Sequence, residues 1–242
     1  MTSIHGLTLF RLLLLAAMAA PTFAADQVTL HYNQRPPYQV TKDGQLSGLT
    51  GTPAVAALKT AGISFVIQET PSARQLIAIK GNTGMDCGIG WFKNGEREVF
   101  GKFTKPIYRD EPQIALASAK NAKLKSGDTL ESILGNKSIN LLVKQGYSYG
   151  KTLDALMERL QPIKNSVAVE NVQMLQMINA GRADYMFAAP EEVDGLLAAT
   201  GINPAEIQKI TFSNAPKGED RFILCSKKVS DEIITKLNGA IK

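Results

Sequence analysis

Two hydrophobic patterns alternate along most of the chain. Short apolar runs rich in β-branched and aromatic residues predict strands, and longer segments with an apolar residue every three or four positions predict helices. The predicted strands are 27–33, 64–70, 85–91, 112–119, 138–144, 166–171, 183–189, 209–213 and 221–228. The predicted helices are 52–62, 71–82, 130–136, 150–160, 171–181, 191–201 and 230–242. Because strands and helices that alternate in this way form βαβ units, the sequence predicts an α/β fold with mainly parallel sheets flanked by helices.

The predicted strands are too many for one regular sheet. Two segments, "FTKPIYRDEP" and "SNAPKGEDR", combine proline with charged residues and indicate two points where the chain crosses between lobes. We therefore expect lobe 1 to contain residues 26–108 plus 220–242, and lobe 2 to contain residues 109–219.

The first 24 residues have the pattern of a secretory signal. Arg11 is followed by an apolar run and by small residues before an expected cut after Ala24. A retained N-terminal anchor is the alternative, but the apolar run is short for a membrane span. We expect residues 1–24 to be removed and the mature chain to be soluble and periplasmic or secreted.

The composition excludes some classes of partner. The chain is 44% hydrophobic and 20% charged, as is usual for a soluble globular protein. It has 27 Lys+Arg and 22 Asp+Glu, and loss of Arg11 with the signal leaves a mature net charge of +4. A nucleic-acid-binding face would combine clustered basic residues with aromatic residues, and the lysines here are scattered. We therefore expect no nucleic-acid partner.

The few cysteines and histidines limit the chemistry that the chain can perform. Cys87 and Cys225 are the only cysteines, and after removal of the signal His31 is the only histidine. These residues cannot supply a four-ligand zinc site, and the commonest general base is nearly absent. We expect no metal, no cofactor and no enzymatic activity, although catalysis by carboxylates stays open. Export favours a Cys87–Cys225 disulfide, and two buried unpaired cysteines are the alternative.

The segment "QGYSYGKT" at 145–152 resembles a phosphate-binding loop at first sight. Gln145 stands where that loop requires glycine, so the motif fails. The segment still opens a predicted helix, and Ser148 is a candidate N-cap. Free amide groups at a helix N-terminus bind anions, whereas an ordinary capped helix would explain Ser148 equally well.

Arg97 follows the predicted strand 85–91 by a short connection. Ligands of parallel α/β sheets bind beyond the carboxyl ends of the strands, where an arginine can present two N–H groups to a carboxylate. A surface arginine paired with Glu96 or Glu98 is the alternative. The spacing alone does not decide between them.

The chain resembles the periplasmic solute-binding proteins of ABC transporters, in the family 3 group that typically binds polar amino acids. The resemblance covers nearly the whole mature chain and is carried by "RPPYQVTKDGQLSG", "PSARQLIAIKGNTGMDCGIG", "GEREVFGKFTKPIY", "NAGRADYMFAA" and "RFILCSKKVSDEIITKLNGAIK". It implies a type II binding-protein fold, with two lobes and a ligand cleft between them.

The resemblance also implies roles for individual residues. Arg97 matches the arginine that binds the α-carboxylate of the ligand, and Tyr38 matches an aromatic residue that covers the ligand. Tyr147 and Ser148 match a segment of the second lobe that completes the carboxylate site. Further candidates are Trp91, which could stack on a ligand or belong to the core, and Arg74 and Arg35, either of which could be plain surface.

Two departures from the family affect the expected ligand. Ala189 stands where amino-acid binders usually have the aspartate that holds the ligand ammonium, with Glu191 and Glu192 nearby. The acidic segment of the first lobe is replaced by "SGLTGTPAV". With Arg35, Arg74 and Arg97 as candidate cleft residues, an anionic solute fits better than a free amino acid. The chain also stops at Lys242, where relatives usually continue through another helix.

The resemblance therefore predicts a monomeric binding protein that closes on a small carboxylate-bearing solute by hinge motion. Its partner would be an ABC permease, to which it delivers the solute. A ligand-binding sensor that reports to a membrane receptor is the alternative, and a secreted enzyme on the same scaffold is a third possibility.

Overall fold

The computed structural model describes residues 27–242, which form two five-stranded sheets. The strands are β1 (Val28–Tyr32), β2 (Val40–Lys42), β3 (Gln45–Ser47), β4 (Phe65–Glu69), β5 (Asp86–Phe92), β6 (Gly101–Arg109), β7 (Ile114–Ser118), β8 (Leu141–Lys144), β9 (Lys164–Val167), β10 (Tyr185–Ala188), β11 (Ile207–Ile210) and β12 (Asp220–Ser226). The helices are α1 (Gly51–Thr60), α2 (Ser72–Gly81), α3 (Gly95–Phe100), α4 (Leu130–Gly135), α5 (Lys151–Leu160), α6 (Asn171–Asn179), α7 (Val193–Thr200) and α8 (Asp231–Ala240).

The first sheet, which we call the sheet of lobe 1, has the order β4-β1-β5-β12-β6. Its centre is apolar because β1, β5 and β12 each have a neighbour on both sides, and buried central strands consist of nearly continuous apolar runs. Leu30, Ile89 and Ile223 lie in one core cluster with Ala54 of α1 and Leu237 of α8. The last helix of the chain therefore packs on the same lobe as the first.

The sheet of lobe 2 has the order β11-β7-β10-β8-β9. All four residues of β8 and all four of β10 are buried at its centre. One core cluster includes Leu141, Leu153 and Phe187, and a second cluster includes Met174 and Leu196. These clusters contain residues of α5 in the first case and of α6 and α7 in the second, so helices cover lobe 2 on more than one side.

Each sheet is mixed rather than mainly parallel. In lobe 1, β1 pairs in parallel with β4 and β5, whereas β12 pairs antiparallel with β5 and β6. The physical reason is the path of the chain, because β6 runs towards lobe 2 and β12 returns from it alongside, in the opposite direction. Three parallel strands in each sheet follow the predicted βαβ pattern. The α/β fold with two lobes is confirmed.

Several predicted boundaries differ from the structure. The predicted crossing "FTKPIYRDEP" is mostly strand β6, so the chain leaves lobe 1 only after Arg109. Strands β9 and β11 each begin two residues before the predicted runs. The hairpin of β2 and β3 and the short helix α3 were not predicted. The lobe boundaries 26–108 plus 220–242 and 109–219 stay a proposal, in which β6 would move the first boundary to after Arg109.

Cys87 and Cys225 form a disulfide in the structure. They are direct partners on the neighbouring strands β5 and β12, and both are fully buried. The two cysteines have a sequence separation of 138, and the loop that the bond closes includes the whole of lobe 2. The bond therefore ties the part of lobe 1 made before lobe 2 to the part made after it.

The expected signal at 1–24 lies outside the described residues. Within residues 27–242, none of the helices combines the length and the apolar character that a membrane crossing requires.

Candidate ligand-binding site

A cavity of about 40 Å³ lies between the two lobes. Both lobes contribute to it, largely from strand ends and the loops that follow them, as expected for a ligand site in an open α/β sheet. Its lining residues in lobe 1 are Asn33, Arg35, Gln39, Gln75, Ile89, Gly90, Trp91, Phe92, Arg97 and Arg221. Its lining residues in lobe 2 are Gln113, Tyr147, Ser148, Tyr149, Asn171, Met174, Met186, Phe187 and Glu192.

Arg97 points into this cavity from the short helix α3. The side chain of Asn94 caps that helix by accepting a hydrogen bond from the Arg97 N–H at 3.0 Å. The Arg97 guanidinium donates to the carbonyl oxygens of Phe92 at 2.6 Å and Gly146 at 2.9 Å. It also lies over the Trp91 ring, 4.7 Å from the centroid. Arg97 is only 3% exposed, so it is a buried cleft residue and not a solvated one.

The charge of Arg97 has no carboxylate partner among the described residues. The acids named as its alternative partners lie elsewhere: Glu98 pairs with Lys93, and Glu96 is exposed. Burial lowers the pKa of Arg97 to about 10, because removal from water disfavours the charged form. The group is still protonated at neutral pH. Its guanidinium retains N–H groups that neither carbonyl uses.

Arg35 and Glu192 form an ion pair between the lobes. The Nε and one terminal nitrogen of Arg35 donate to the two carboxylate oxygens, both at 2.8 Å. The Arg35 guanidinium also lies over the rings of Tyr38 and Tyr147, at 5.0 and 5.7 Å from their centroids. Burial opposes ionisation of Glu192, but the charge and hydrogen bonds of Arg35 outweigh it and hold the pKa of Glu192 below its ordinary value.

A second buried pair, Arg221 with Asp110, was missed by the sequence analysis. Arg221 begins the returning strand β12 and donates to both oxygens of Asp110, at 2.5 and 2.6 Å. Asp110 follows β6, so the pair joins the two chain crossings. The Tyr38 hydroxyl donates a hydrogen bond to Asp110 at 3.1 Å, and the Arg221 guanidinium lies over the Tyr38 ring, 4.2 Å from its centroid. Tyr38 is therefore not among the residues that line the cavity; it lies beneath two of the arginines that do.

Arg74 does not line the cavity and is exposed. Successive residues of a helix point about 100° apart, so the face of α2 that meets the cavity presents Gln75 instead. Gln75 is buried and accepts a hydrogen bond from the Trp91 indole at 3.2 Å. Trp91 is itself held edge-on to Tyr147, with ring centroids 5.9 Å apart. Trp91 and Tyr147 thus form a fixed aromatic wall of the cavity.

Ser148 lines the cavity but is not the N-cap of α5. The cap residue is Gly150, whose N–H donates to the Ser148 hydroxyl at 3.2 Å. Ser148 in turn donates to Asp154, which also accepts the N–H of Tyr149 at 2.8 Å. The Glu219 carboxylate accepts a hydrogen bond from the Lys151 N–H at 2.8 Å. This amide at the helix N-terminus is therefore already bound by an acid of the protein.

The lobes also touch beside the cavity. Glu170 of lobe 2 accepts hydrogen bonds from the side chain of Asn33 at 3.3 Å and from the N–H of Ser72 at 3.4 Å, and it pairs with Lys144. On another side, Gly195 of α7 lies against the loop that contains Pro36. A Cβ atom at Gly195 would stand 2.9 Å from the Pro36 carbonyl oxygen.

The sequence carried weak signals for the residues that were missed. Asp110 and Arg221 both stand in the charged segments read as crossings, but nothing local indicates that they pair. Glu192 was noted only as an acid near Ala189. Gln75 is one position from the arginine that was named. Arg97, Arg35, Trp91, Tyr147 and Ser148 are brought together around one cavity.

These features define a two-lobed α/β fold with a buried cationic cleft. No family model matches the chain, and no curated protein sequence matches it significantly. Solved structures do match. An ancestral arginine-binding protein bound to arginine has a TM-score of 0.69 and 16% identity, over 89% of this chain and 91% of that one.

Two further matches have the same character. The arginine-, lysine-, histidine-binding protein ArtJ from Geobacillus stearothermophilus has a TM-score of 0.70 and 14% identity, over 89% of this chain and 87% of that one. The amino acid ABC transporter substrate-binding protein AbpA from Streptococcus pneumoniae, bound to L-arginine, has a TM-score of 0.68 and 14% identity, over the same shares. The resemblance to ABC-transporter binding proteins is thereby confirmed at the level of the fold.

Proposed function

We propose that this protein is a periplasmic or secreted solute-binding protein that captures a small carboxylate-bearing solute between its lobes and delivers it to an ABC permease. The observation that carries the proposal is Arg97, a buried guanidinium without a carboxylate partner among the described residues, placed in the cleft of this fold. An unpaired buried charge is costly, and a ligand carboxylate would neutralise it through paired hydrogen bonds.

The path of the chain supports capture by hinge closure. Lobe 2 is joined to lobe 1 by two neighbouring segments, one after β6 and one before β12, which can act together as a hinge. The contacts between the lobes around the cavity include hydrogen bonds and ion pairs, such as Asn33 with Glu170 and Arg35 with Glu192. Water can replace such contacts when the lobes separate, more readily than it can solvate a large apolar interface.

The position of His31 supports binding rather than catalysis. Its ring nitrogens contact Thr70 and Asp86, both at 2.9 Å, and none of these three residues lines the cavity. Among the described residues, the cavity therefore has no histidine to act as a general base. Transport proteins of this fold also include the amino acid binders named above.

Mass spectrometry of small molecules released from the purified, denatured protein tests this proposal. We expect a carboxylate-bearing compound, and the same compound should raise the melting temperature of the emptied protein. At 100 times the dissociation constant, a ligand stabilises the folded state by about 2.7 kcal/mol. Recovery of a compound without a carboxylate, or no stabilisation by any small carboxylate of a broad panel, would contradict the proposal.

Hinge closure makes a prediction about Gly195. In Gly195→Ala, the new methyl group would meet the Pro36 carbonyl when the lobes close. Overpacking of this kind costs about 1–3 kcal/mol, which corresponds to a loss of ligand affinity of roughly 5- to 150-fold. Calorimetric titration with the recovered ligand measures the loss.

The matched control for this variant is Gly239→Ala in α8, where a Cβ atom meets nothing within 4 Å. That change should leave affinity unchanged and slightly stabilise the protein, because alanine has the higher helix propensity. Equal affinities for Gly195→Ala and Gly239→Ala would show that Gly195 and Pro36 need not approach for the ligand to be held.

A further inference from the structure

The charges around the cavity do not balance. Three buried or half-buried arginines line it, namely Arg35, Arg97 and Arg221. Glu192 neutralises Arg35, and Asp110 neutralises Arg221, through close ion pairs whose four side chains are at most 13% exposed. Arg97 forms no ion pair with a described residue, and Asp154, whose charge acts on Arg97, does not line the cavity. The cluster therefore has a net charge of +1, and a single negative charge on a ligand would neutralise it.

Among the described residues, Glu192 is the only acid that lines the cavity, and it has no capacity for a ligand ammonium. One oxygen of Glu192 accepts Nε of Arg35 at 2.8 Å and the Asn171 amide at 3.1 Å. The other oxygen accepts a terminal nitrogen of Arg35 at 2.8 Å and the Ala189 N–H at 3.2 Å. These four hydrogen bonds use the accepting capacity of both oxygens.

Glu191 and Glu170 lie nearby but are not part of the cavity lining. One oxygen of Glu191 accepts hydrogen bonds from the Tyr108 hydroxyl at 3.1 Å and the Glu111 N–H at 2.8 Å, and its other oxygen is buried without a hydrogen-bond partner among the described residues. Glu170 pairs with Lys144 at the junction of the lobes. A zwitterion bound to Arg97 would therefore place its ammonium among arginines, and among the described residues no acid of the cavity lining is free to receive it.

We propose that the ligand is a monocarboxylate whose remaining groups are uncharged, and that the Arg35 guanidinium occupies the place on Glu192 that a ligand ammonium would otherwise take. This inference rests on the proposed function, because it assumes that Arg97 receives the carboxylate. It also narrows the expectation from the sequence, which counted Arg74 as a candidate cleft residue and favoured an anionic solute over a free amino acid.

The rest of the lining fits an uncharged remainder. Trp91, Phe187, Met174 and Met186 supply apolar surface. The Gln113 side chain lines the cavity and forms no hydrogen bond with another described residue, so it is available to a hydroxyl, carbonyl or amide group of the ligand. A neutral polar group can be accepted here without a counter-charge.

Matched pairs of acids that differ only in the amine test this inference on the whole mature protein. The pairs are L-glutamine with glutaramate, L-leucine with isocaproate and L-alanine with propionate, and glutarate is added as a dicarboxylate. Thermal shifts and calorimetric titration give their affinities. Among the pairs that bind, we expect the acid without the amine to bind at least about tenfold more tightly, because a charge left unpaired on burial is strongly disfavoured.

The outcomes separate the two proposals. If an amino acid binds more tightly than its deaminated partner, or glutarate more tightly than glutaramate, the present inference is wrong while carboxylate capture stands. If no compound of the panel stabilises the protein and mass spectrometry recovers no carboxylate, the proposed function fails, and this inference fails with it.

A variant provides a second, independent measurement. Arg35→Gln removes the cation from Glu192, so the ratio of amino-acid affinity to deaminated-acid affinity should rise by at least about tenfold. Because both affinities are measured on the same variant, any general weakening of closure cancels in the ratio. In the double variant Arg35→Gln/Glu192→Gln the rise should disappear, since the carboxylate that receives the ammonium is gone.

Arg159→Ala is the matched control for the loss of one arginine, since its side chain is 64% exposed and lies outside the cavity. It should leave the ratio unchanged. A ratio that stays unchanged in folded Arg35→Gln as well would overturn the role assigned to Arg35. If that variant does not fold, the matched pairs on the wild-type protein still decide the inference.

Discussion

Replacement of Arg97 by alanine is expected to abolish high-affinity binding while the protein stays folded. In the cleft, the Arg97 guanidinium and the ligand carboxylate would both be removed from water, so loss of one leaves the other buried without a partner. Truncating one member of such a pair costs about 2–5 kcal/mol, which weakens affinity by roughly 30- to 4,000-fold. Folding should persist, because the native protein loses a buried cation that no carboxylate of the described residues pairs with.

Two variants sharpen this prediction, and all affinities are measured by calorimetric titration. Arg97→Lys should restore little, because a single ammonium cannot reproduce the paired N–H groups of a guanidinium. Arg74→Ala removes an arginine of the same lobe that is exposed, and it should not change affinity. An Arg97→Ala affinity within threefold of the wild-type value would show that Arg97 does not bind the ligand carboxylate and has a structural role only.

Loss of the Cys87–Cys225 disulfide is expected to lower the free energy of unfolding by about 5 kcal/mol. In the chain-entropy model the effect grows with the length of the closed loop, and this loop spans 138 residues of sequence separation. Urea unfolding of the oxidised protein and of Cys87→Ala/Cys225→Ala measures the difference. Ligand affinity should be retained, since neither cysteine lines the cavity.

Reduced wild-type protein is the control that separates the bond from the packing of the two side chains. The urea concentration at its unfolding midpoint should be close to that of the double variant. The predicted effect acts through the unfolded state. If the free energy of unfolding falls by less than about 1 kcal/mol in both the reduced protein and the double variant, the unfolded chain is already restricted without the bond.

Most strands and helices could be predicted from periodicity, and the exceptions have physical causes. Strand β6 contains Pro106 and several charged residues, which indicate a connection when the sequence is considered alone. In the structure β6 is an edge strand, where proline is tolerated because one side needs no hydrogen bonds. The hairpin of β2 and β3 had a usable signal, because Asp43 and Gly44 both adopt the positive φ that its tight turn requires.

The site was predictable only in part, because its electrostatics depend on contacts between distant residues. Arg97 and Arg35 were both named as candidates, but their different roles follow from Glu192, which pairs with Arg35 and not with Arg97. Arg221 stands at the start of a strand-like run and finds Asp110 across 111 residues of sequence. No local pattern contains that information. Whether Gln75 or Arg74 faces the cavity depends on how α2 is rotated about its axis relative to the sheet.

The position of β12 in its sheet has a consequence for the order in which the two lobes can fold. β12 lies between β5 and β6, yet the whole of lobe 2 is translated after β6 and before β12 emerges. Lobe 2 is continuous and can fold as soon as its last strand is made. Lobe 1 has two open strand edges until residues Asp220–Ser226 arrive, and such edges promote aggregation. The sheet of lobe 1 therefore cannot be completed before the chain that follows lobe 2 is available, so lobe 1 is expected to finish folding after lobe 2.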